Sequence, residues 1–421
     1  MNIDYFSRRD FLRLSSLGVL APSLSGWLAP LAARAAESRA KTRSCILLWM
    51  DGGPSQKDTF DMKPGTKDGG EFKPIATSVP GIQISEHLPN LAKQMQHAAI
   101  LRGMTTGEGA HGRAKVYMHT GYKEGIGGLV YPSLGAIASK ELGKPEFPLP
   151  NFVTIGNRSY GAGFLGPKHQ PLNVTDASRG VESLKSALTE GQFSNRFGLL
   201  EEMEAGFFKQ YGANAATDHR TTYERAVRLM QSKEARAFDL DREAESAKSR
   251  YGSGKFAEGC LLARRLIETG VTFVEVTLGG WDTHQNNFKR VKDLSSQIDQ
   301  PISSLIEDLK QRGLLDSTLI VWMGEFGRTP KINTKGAQPG RDHYPKAWTS
   351  VLFGGGIKGG QVISKTDSEG AAVTDRPISA LDFMATICKV LGIDYNKQNE
   401  SNIGRPIRIV DKGAKPLTEL F

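Results

Sequence analysis

Thiols are scarce in this chain: its 421 residues hold three cysteines, Cys45, Cys260 and Cys388. Each lies inside an apolar run, which reads as a small core residue, and the three show no metal-binding spacing. The odd count also argues against a disulfide framework. Long apolar runs are equally few. Only residues 14–31 approach the length of a bilayer span, and no later segment does. Internal repeats are absent. Charge of one sign is not concentrated either: 54 basic and 45 acidic residues are scattered and mostly paired along helical stretches, so no nucleic-acid partner is expected. The run Gly354-Gly355-Gly356-Ile357-Lys358-Gly359-Gly360 lacks the Lys-Ser/Thr that opens a helix after a phosphate loop, and it reads as a turn needing positive φ.

The first residues stand apart from the rest. Ser7-Arg8-Arg9-Asp10-Phe11-Leu12 carries a twin arginine, an apolar stretch follows, and Ala33-Arg34-Ala35 offers a small-residue cleavage site. Residues 1–35 therefore resemble a twin-arginine (Tat) signal, which directs export of folded proteins. The expected location is periplasmic or extracellular, with the Tat export machinery as a partner and no stable membrane span after cleavage. Cleavage would remove four arginines and two aspartates, lowering the formal charge of +9 by two. The modest surplus that remains reads first as ordinary surface composition and second as attraction for an anionic small-molecule or glycan ester. The remaining length suits one large α/β domain, residues 44–421, with insertions.

Three apolar, β-branched runs each end on a carboxylate. They are Ile46-Leu-Leu-Trp-Met-Asp51, Val271 through Asp282-Thr-His284, and Leu319-Ile-Val-Trp-Met-Gly-Glu325. Gly340-Arg341-Asp342-His343 follows the third. Short apolar runs bounded by glycine read as buried parallel strands, and open α/β sheets bind ligands beyond the carboxyl ends of such strands. Carboxylates and imidazoles gathered there suit a divalent metal. Helices are expected at 88–96, 110–119, 133–142, 255–269, 287–312 and 380–391, and further strands at 99–102, 152–155 and 348–353. Between 156 and 251 the chain turns polar and mainly helical, with its longest helix expected over 223–250. That stretch reads as an insertion flanking the site. The two helices that lead directly into the second and third strands give the crossover pattern of a parallel sheet.

Four motifs carry a resemblance: Asp51-Gly-Gly-Pro-Ser55, Gly279-Gly-Trp-Asp-Thr-His284, Gly324-Glu-Phe-Gly-Arg-Thr-Pro330 and Gly340-Arg-Asp-His-Tyr-Pro345. Together they resemble the exported family 1501 of domains of unknown function, over about Ile46 to Ile407. The helix region from Arg376 to Ile393 is similar as well. That family is placed in the alkaline phosphatase and sulfatase superfamily, so the resemblance implies an alkaline-phosphatase-like three-layer fold, a mostly parallel sheet flanked by helices, and a two-metal site. It implies that Asp51 bridges the metals, that Asp282 and His284 serve one ion, that Glu325 stands where an Asp-His pair serves the other with its imidazole missing, and that His343 is the late histidine ligand. It also places His111 where relatives carry a Ser, Thr or formylglycine-forming nucleophile, a departure that counts against a covalent enzyme intermediate.

The metal ligands expected are therefore Asp51, Asp282, His284, Glu325 and His343, holding Zn, Mn, Mg or Ca. Asp342 is a carboxylate placed to orient a histidine. A water activated by the metal needs no side-chain nucleophile and ranks first; His111 and then Ser55 follow as catalytic groups. Arg328 is expected to grip an anion, with Arg341 and Arg113 as alternates. Trp281 reads as packing, and His119, two turns beyond His111, as a group that either faces the site or is structural. The function expected is an exported metal-dependent hydrolase of phosphate or sulfate esters. The alternative is a non-catalytic exported binding protein on a degenerate scaffold of the same kind.

Overall fold

The computed structural model describes residues 43–124, 128–182 and 213–421, with a few positions between 184 and 202. The expected export signal and part of the expected insertion lie outside the described residues. The sheet has eight strands: β1 (Ser44–Met50), β2 (Ala98–Met104), β3 (Phe152–Ile155), β4 (Leu172–Val174), β5 (Phe273–Leu278), β6 (Thr318–Met323), β7 (Trp348–Gly354) and β8 (Gln361–Ile363). Their order is β8-β2-β7-β6-β1-β5-β3-β4. The helices used below are α1 (His111–Thr120), α2 (Leu134–Leu142), α3 (Ala213–Gln231), α4 (Glu245–Tyr251), α5 (Lys255–Thr269), α6 (Asn287–Gln311) and α7 (Ala380–Leu391).

β1 is central because every one of its seven residues is buried. A strand covered on both faces needs apolar residues at both parities, which is why its sequence runs without alternation. Ile46, Leu48 and Met50 enter one core with α5 and α6, through Cys260, Leu262, Ile298 and Ile302. Cys45, Leu47 and Trp49 enter the other with α2 and α7, through Ile137, Phe383 and Ile387. The result is helices, sheet and helices in three layers. α7 starts at a capping box, in which Ser379 and Asp382 bond each other's backbone N–H groups, and this satisfies two donors otherwise left open. All three cysteines are free and buried. Among the described residues no helix is long and apolar enough to cross a membrane.

β1 pairs in parallel with β5 and with β6, so the three carboxylate-tipped strands end at one edge. Only β7 runs against its neighbours, antiparallel to β2 and β6. The triple glycine after it turns with φ of 66, 63 and 75° at Gly354, Gly355 and Gly356, as a turn requires. Two expected helices come out differently. The stretch 88–96 holds only Pro89–Ala92 as α-helix, followed by a 3-10 turn at Met95–His97. The long helix expected over 223–250 instead breaks after Gln231 into 3-10 turns before α4. The break falls at Ser232 and Asp239, whose side chains accept from Ala235 N and Asp241 N and start new turns.

Candidate metal centre

Four pieces of chain meet at the carboxyl edge. After β1 come Asp51, Gly52 and Gly53; after β5, the loop bearing Asp282 and His284. After β6 comes Glu325, followed by an antiparallel pair joining Gly327–Arg328 to His343–Tyr344. The first residue of α1 is His111. Close approach is permitted by glycine. A Cβ on Gly52 would sit 2.4 Å from the backbone nitrogen of Asp282, and one on Gly53 would sit 2.6 Å from the carbonyl oxygen of Phe326. Both glycines hold positive φ.

Three imidazoles are each fixed through Nδ1. His111 Nδ1 lies 2.6 Å from Glu325 Oε1, His284 Nδ1 lies 2.7 Å from Asp342 Oδ1, and His343 Nδ1 donates to the Gly109 carbonyl at 2.8 Å. Carboxylates and carbonyls only accept, so Nδ1 carries the proton in all three rings and Nε2 of the neutral ring carries a lone pair. All three Nε2 atoms turn toward Asp282. His111 Nε2 is 3.4 Å from Asp282 Oδ2, while His343 Nε2 and His284 Nε2 are 3.3 and 3.2 Å from Oδ1. His284 and His343 face each other Nε2 to Nε2 at 2.9 Å.

This arrangement fits a metal ion. His111 Nε2 is buried without a hydrogen-bond partner. Two lone pairs 2.9 Å apart repel unless a cation, a proton or a metal, is shared between them. Ligands about 2.0–2.1 Å from a tetrahedral zinc stand about 3.3 Å apart, close to the separations here. One atom each of His111, Asp282 and His343 falls within 4.8 Å of the others. A carboxylate or carbonyl behind each imidazole is the support that metal-binding histidines use.

The charges are tuned accordingly. Burial works against ionising Asp282, but the Arg328 charge and hydrogen bond, His284 and His111 outweigh it and hold its carboxyl down at about 2. The hydrogen bond that His111 donates to Glu325, opposed by burial, raises His111 above its ordinary value. Burial lowers His343, and Arg328, His111 and His284 add to the effect.

The structure redistributes several expected roles. Glu325 is fully buried, its oxygens taken by His111 and by Gly52 N–H at 3.2 Å, so it stands behind His111 and not in the Nε2 cluster. Asp51 is held by Lys115 Nζ at 2.6 Å and by Trp49 Nε1 at 3.1 Å, also outside it. His111, expected as a nucleophile or base, supplies one of the converging nitrogens instead. Ser55 is buried with its hydroxyl 2.5 Å from Asp58 Oδ2, away from the cluster. Arg328 cannot grip a substrate: it is 0% exposed, with Nε on the Gly53 carbonyl and Nη2 shared by the Gly52 carbonyl and Asp282. It orients Asp282. Arg341 is equally buried and pairs with Asp58, and Arg113 pairs with Glu108 on the surface. Trp281 is packed at 0% exposure, edge-on to Trp322. Lys115 was overlooked. It lies four residues after His111, hence on the same helix face, and that spacing was the available signal.

The model of one protein family, described as "Protein of unknown function (DUF1501)", matches residues 42–421. No curated protein matches the chain. Similar solved structures include the PsFucS1 sulfatase from Pseudoalteromonas sp., 16% identical, covering 87% of this chain and 72% of that one at a TM-score of 0.40. Another is the C-terminal periplasmic domain of EcEptC from Escherichia coli in complex with Zn, at 10% identity, coverage of 90% and 88%, and TM-score 0.39. A third is an alkaline phosphatase from the Antarctic bacterium TAB5, at 14% identity, coverage of 83% and 98%, and TM-score 0.35. At these values none of the three transfers a residue role.

Proposed function

This chain belongs to the DUF1501 family of proteins of unknown function, so its activity must be read from its own side chains, and we propose that it is an exported, metal-dependent hydrolase of phosphate or sulfate esters. The observation that carries the reading is the convergence of His111, His343 and Asp282 on one point, with His284 Nε2 beside it, 3.2 Å from Asp282 Oδ1 and 2.9 Å from His343 Nε2. His111, Asp282, His284 and His343 would hold the metal. When bound, the ion would supply Lewis-acid charge for the ester oxygens and lower the pKa of water at the site.

The chain's own residues do the rest. Glu325 and Asp342 fix two of the rings and raise their basicity as ligands. Arg328 holds Asp282 ionised at neutral pH. Lys115, about one-quarter exposed and paired with Asp51, is the cation one helical turn from His111 that can contact an anionic substrate. Ser55 has no part, since its hydroxyl is committed to Asp58. The superfamily resemblance of the four motifs supports a phosphate or sulfate ester. Export rests on Arg8-Arg9, the apolar stretch and Ala33-Arg34-Ala35. The segment around 156–251 is read as an insertion into the single domain 44–421.

The test is a panel of aryl phosphate, phosphodiester and aryl sulfate substrates, with protein reconstituted in Zn, Mn, Mg or Ca. Turnover that needs one of these metals and survives Ser55→Ala is the expected result. No turnover together with no bound metal by elemental analysis would favour a non-catalytic binding protein. Export is tested separately by N-terminal sequencing of periplasmic protein. A new terminus just after Ala35 is expected, and an intact Met1 in the cytosol would refute it.

A further inference from the structure

The metal centre occupies the carboxyl ends of β1, β5 and β6. At the opposite end of the sheet, where β3 begins, a cavity of about 130 Å³ is lined by Lys140, Lys144, Lys168, His169, Arg225 and Arg228. Among the described residues no acidic side chain lines it. The basic groups come from four places: the end of α2, the proline-rich loop after it, the 3-10 turn Pro167–His169 and α3.

None of these cations pairs with a described carboxylate. Arg225 donates to the carbonyls of Pro167 and Gln170, and Arg228 Nη1 donates to the carbonyl of Pro145 at 2.9 Å. Lys140 Nζ donates to Asn399 Oδ1 at 2.7 Å. Lys144 and Lys168 form no ion pair among the described residues. Elsewhere the structure pairs its basic residues readily: Lys397 meets Glu141, Arg265 meets Glu243 and Arg376 meets Glu419. Gathering like charges around one concavity is unfavourable unless something negative is brought there. The carbonyl contacts fix both guanidinium groups in advance, which lowers the cost of binding. The His169 ring registers the same field. Burial first, then Lys168, Lys140 and Arg225, push it down to about 4, and its Nδ1 rests 3.2 Å from Ser139 Oγ.

We infer that this cavity binds a small oligoanion carrying closely spaced phosphate or sulfate groups. The volume is that of about four waters, room for one tetrahedral oxyanion inside. The exposed Lys144 and Lys168 then meet the neighbouring groups at the mouth. Five permanent cations exceed what one dianion neutralises, which favours a ligand with several charged groups over a lone ion. Guanidinium forks match the oxygens of phosphate and sulfate alike. The site lies at the sheet end remote from the metal centre, so its occupancy is measurable with no metal present.

The experiment titrates the full-length chain, in chelator, with inorganic tripolyphosphate and with a trisulfated disaccharide, using calorimetry. One-to-one binding of at least one probe is expected. It should weaken by about ten-fold or more in the triple variant Lys144→Gln, Lys168→Gln, Arg228→Gln, which removes three charge-assisted contacts. The charge-keeping double Lys144→Arg, Lys168→Arg, which leaves the Arg228 fork in place, should bind as wild type does, which separates lost charge from lost fold. His343→Ala at the metal centre should leave the affinity unchanged. The His169 titration midpoint, followed by NMR, should rise when the probe binds. Binding of one probe alone identifies the source as phosphate or sulfate. No binding, equal binding by the neutral triple, or loss in His343→Ala would overturn the inference.

Discussion

His111 and His119 lie two turns apart on α1, and each meets a buried glutamate, yet their surroundings differ. His119 is closed on every side. Its Nδ1 donates to the Lys115 carbonyl at 2.8 Å and its Nε2 is 3.3 Å from Glu275. The other Glu275 oxygen accepts from Ser159 Oγ at 2.7 Å, and the ring packs on Trp49 and Tyr160. His111 has one nitrogen on Glu325 and the other buried with no hydrogen-bond partner, 3.4 Å from Asp282, with the His343 ring against it. A polar group whose hydrogen bonds are all made inside the protein has nothing left to offer a ligand. One left open in a cluster of its kind does. Completeness of bonding, more than residue type, separates the structural histidine from the functional one.

The comparison breaks most visibly at the open cluster. His343→Ala should remove stoichiometric metal and reduce turnover to the level of chelated protein, because one of four converging groups is lost. Elemental analysis and rate measurement check both, with circular dichroism confirming the fold. A variant that keeps full metal would remove His343 from the ligand set.

A smaller effect is expected one layer back. Glu325→Gln keeps the shape and the contact with Gly52 N–H but removes the charge behind His111. Metal affinity should fall by roughly 10–100-fold, as for other groups that support a liganding histidine. Competition with a chelator of known affinity reads the change. Unchanged affinity would make Glu325 a packing group like Glu275.

The closed pair should answer in stability alone. Glu275→Ala leaves His119 and Ser159 without their shared partner inside the sheet. It should cost about 1–3 kcal/mol, the penalty for stranding a buried polar group. Chemical denaturation measures it, and metal content should match wild type. Loss of metal in this variant would mean that the two histidines are coupled and that His119 is not purely structural.

Much of this was legible in the chain. The uninterrupted apolar runs before Asp51 and Glu325, and the mostly apolar run before Asp282 that holds Glu275, announce buried strands, and their common end follows from parallel pairing. The direction of β7 was not legible, because apolar spacing fixes burial and says nothing of which way a strand runs. Nor was the division of labour between Glu325 and His111. Both lie at the edge, and which one faces the other groups depends on Gly52 N–H holding the carboxylate inward. Arg328 misled for a related reason. An arginine in a glycine-rich loop reads as an anion clamp until the carbonyls of Gly52 and Gly53 are seen to absorb its donors. Ser232 and Asp239, by contrast, were readable helix breakers inside a long polar stretch.

Gly52 and Gly53 give the centre an unusual kind of fixity. Because a Cβ at either position would collide with the main chain of Asp282 or Phe326, the three strand ends stand backbone against backbone. Spacing set by side chains can drift as those side chains are exchanged over generations. Spacing set by main chain can be neither enlarged nor reduced by any substitution at these positions, only destroyed. Change that the edge can absorb must therefore fall on the side chains around it and not on Gly52 or Gly53.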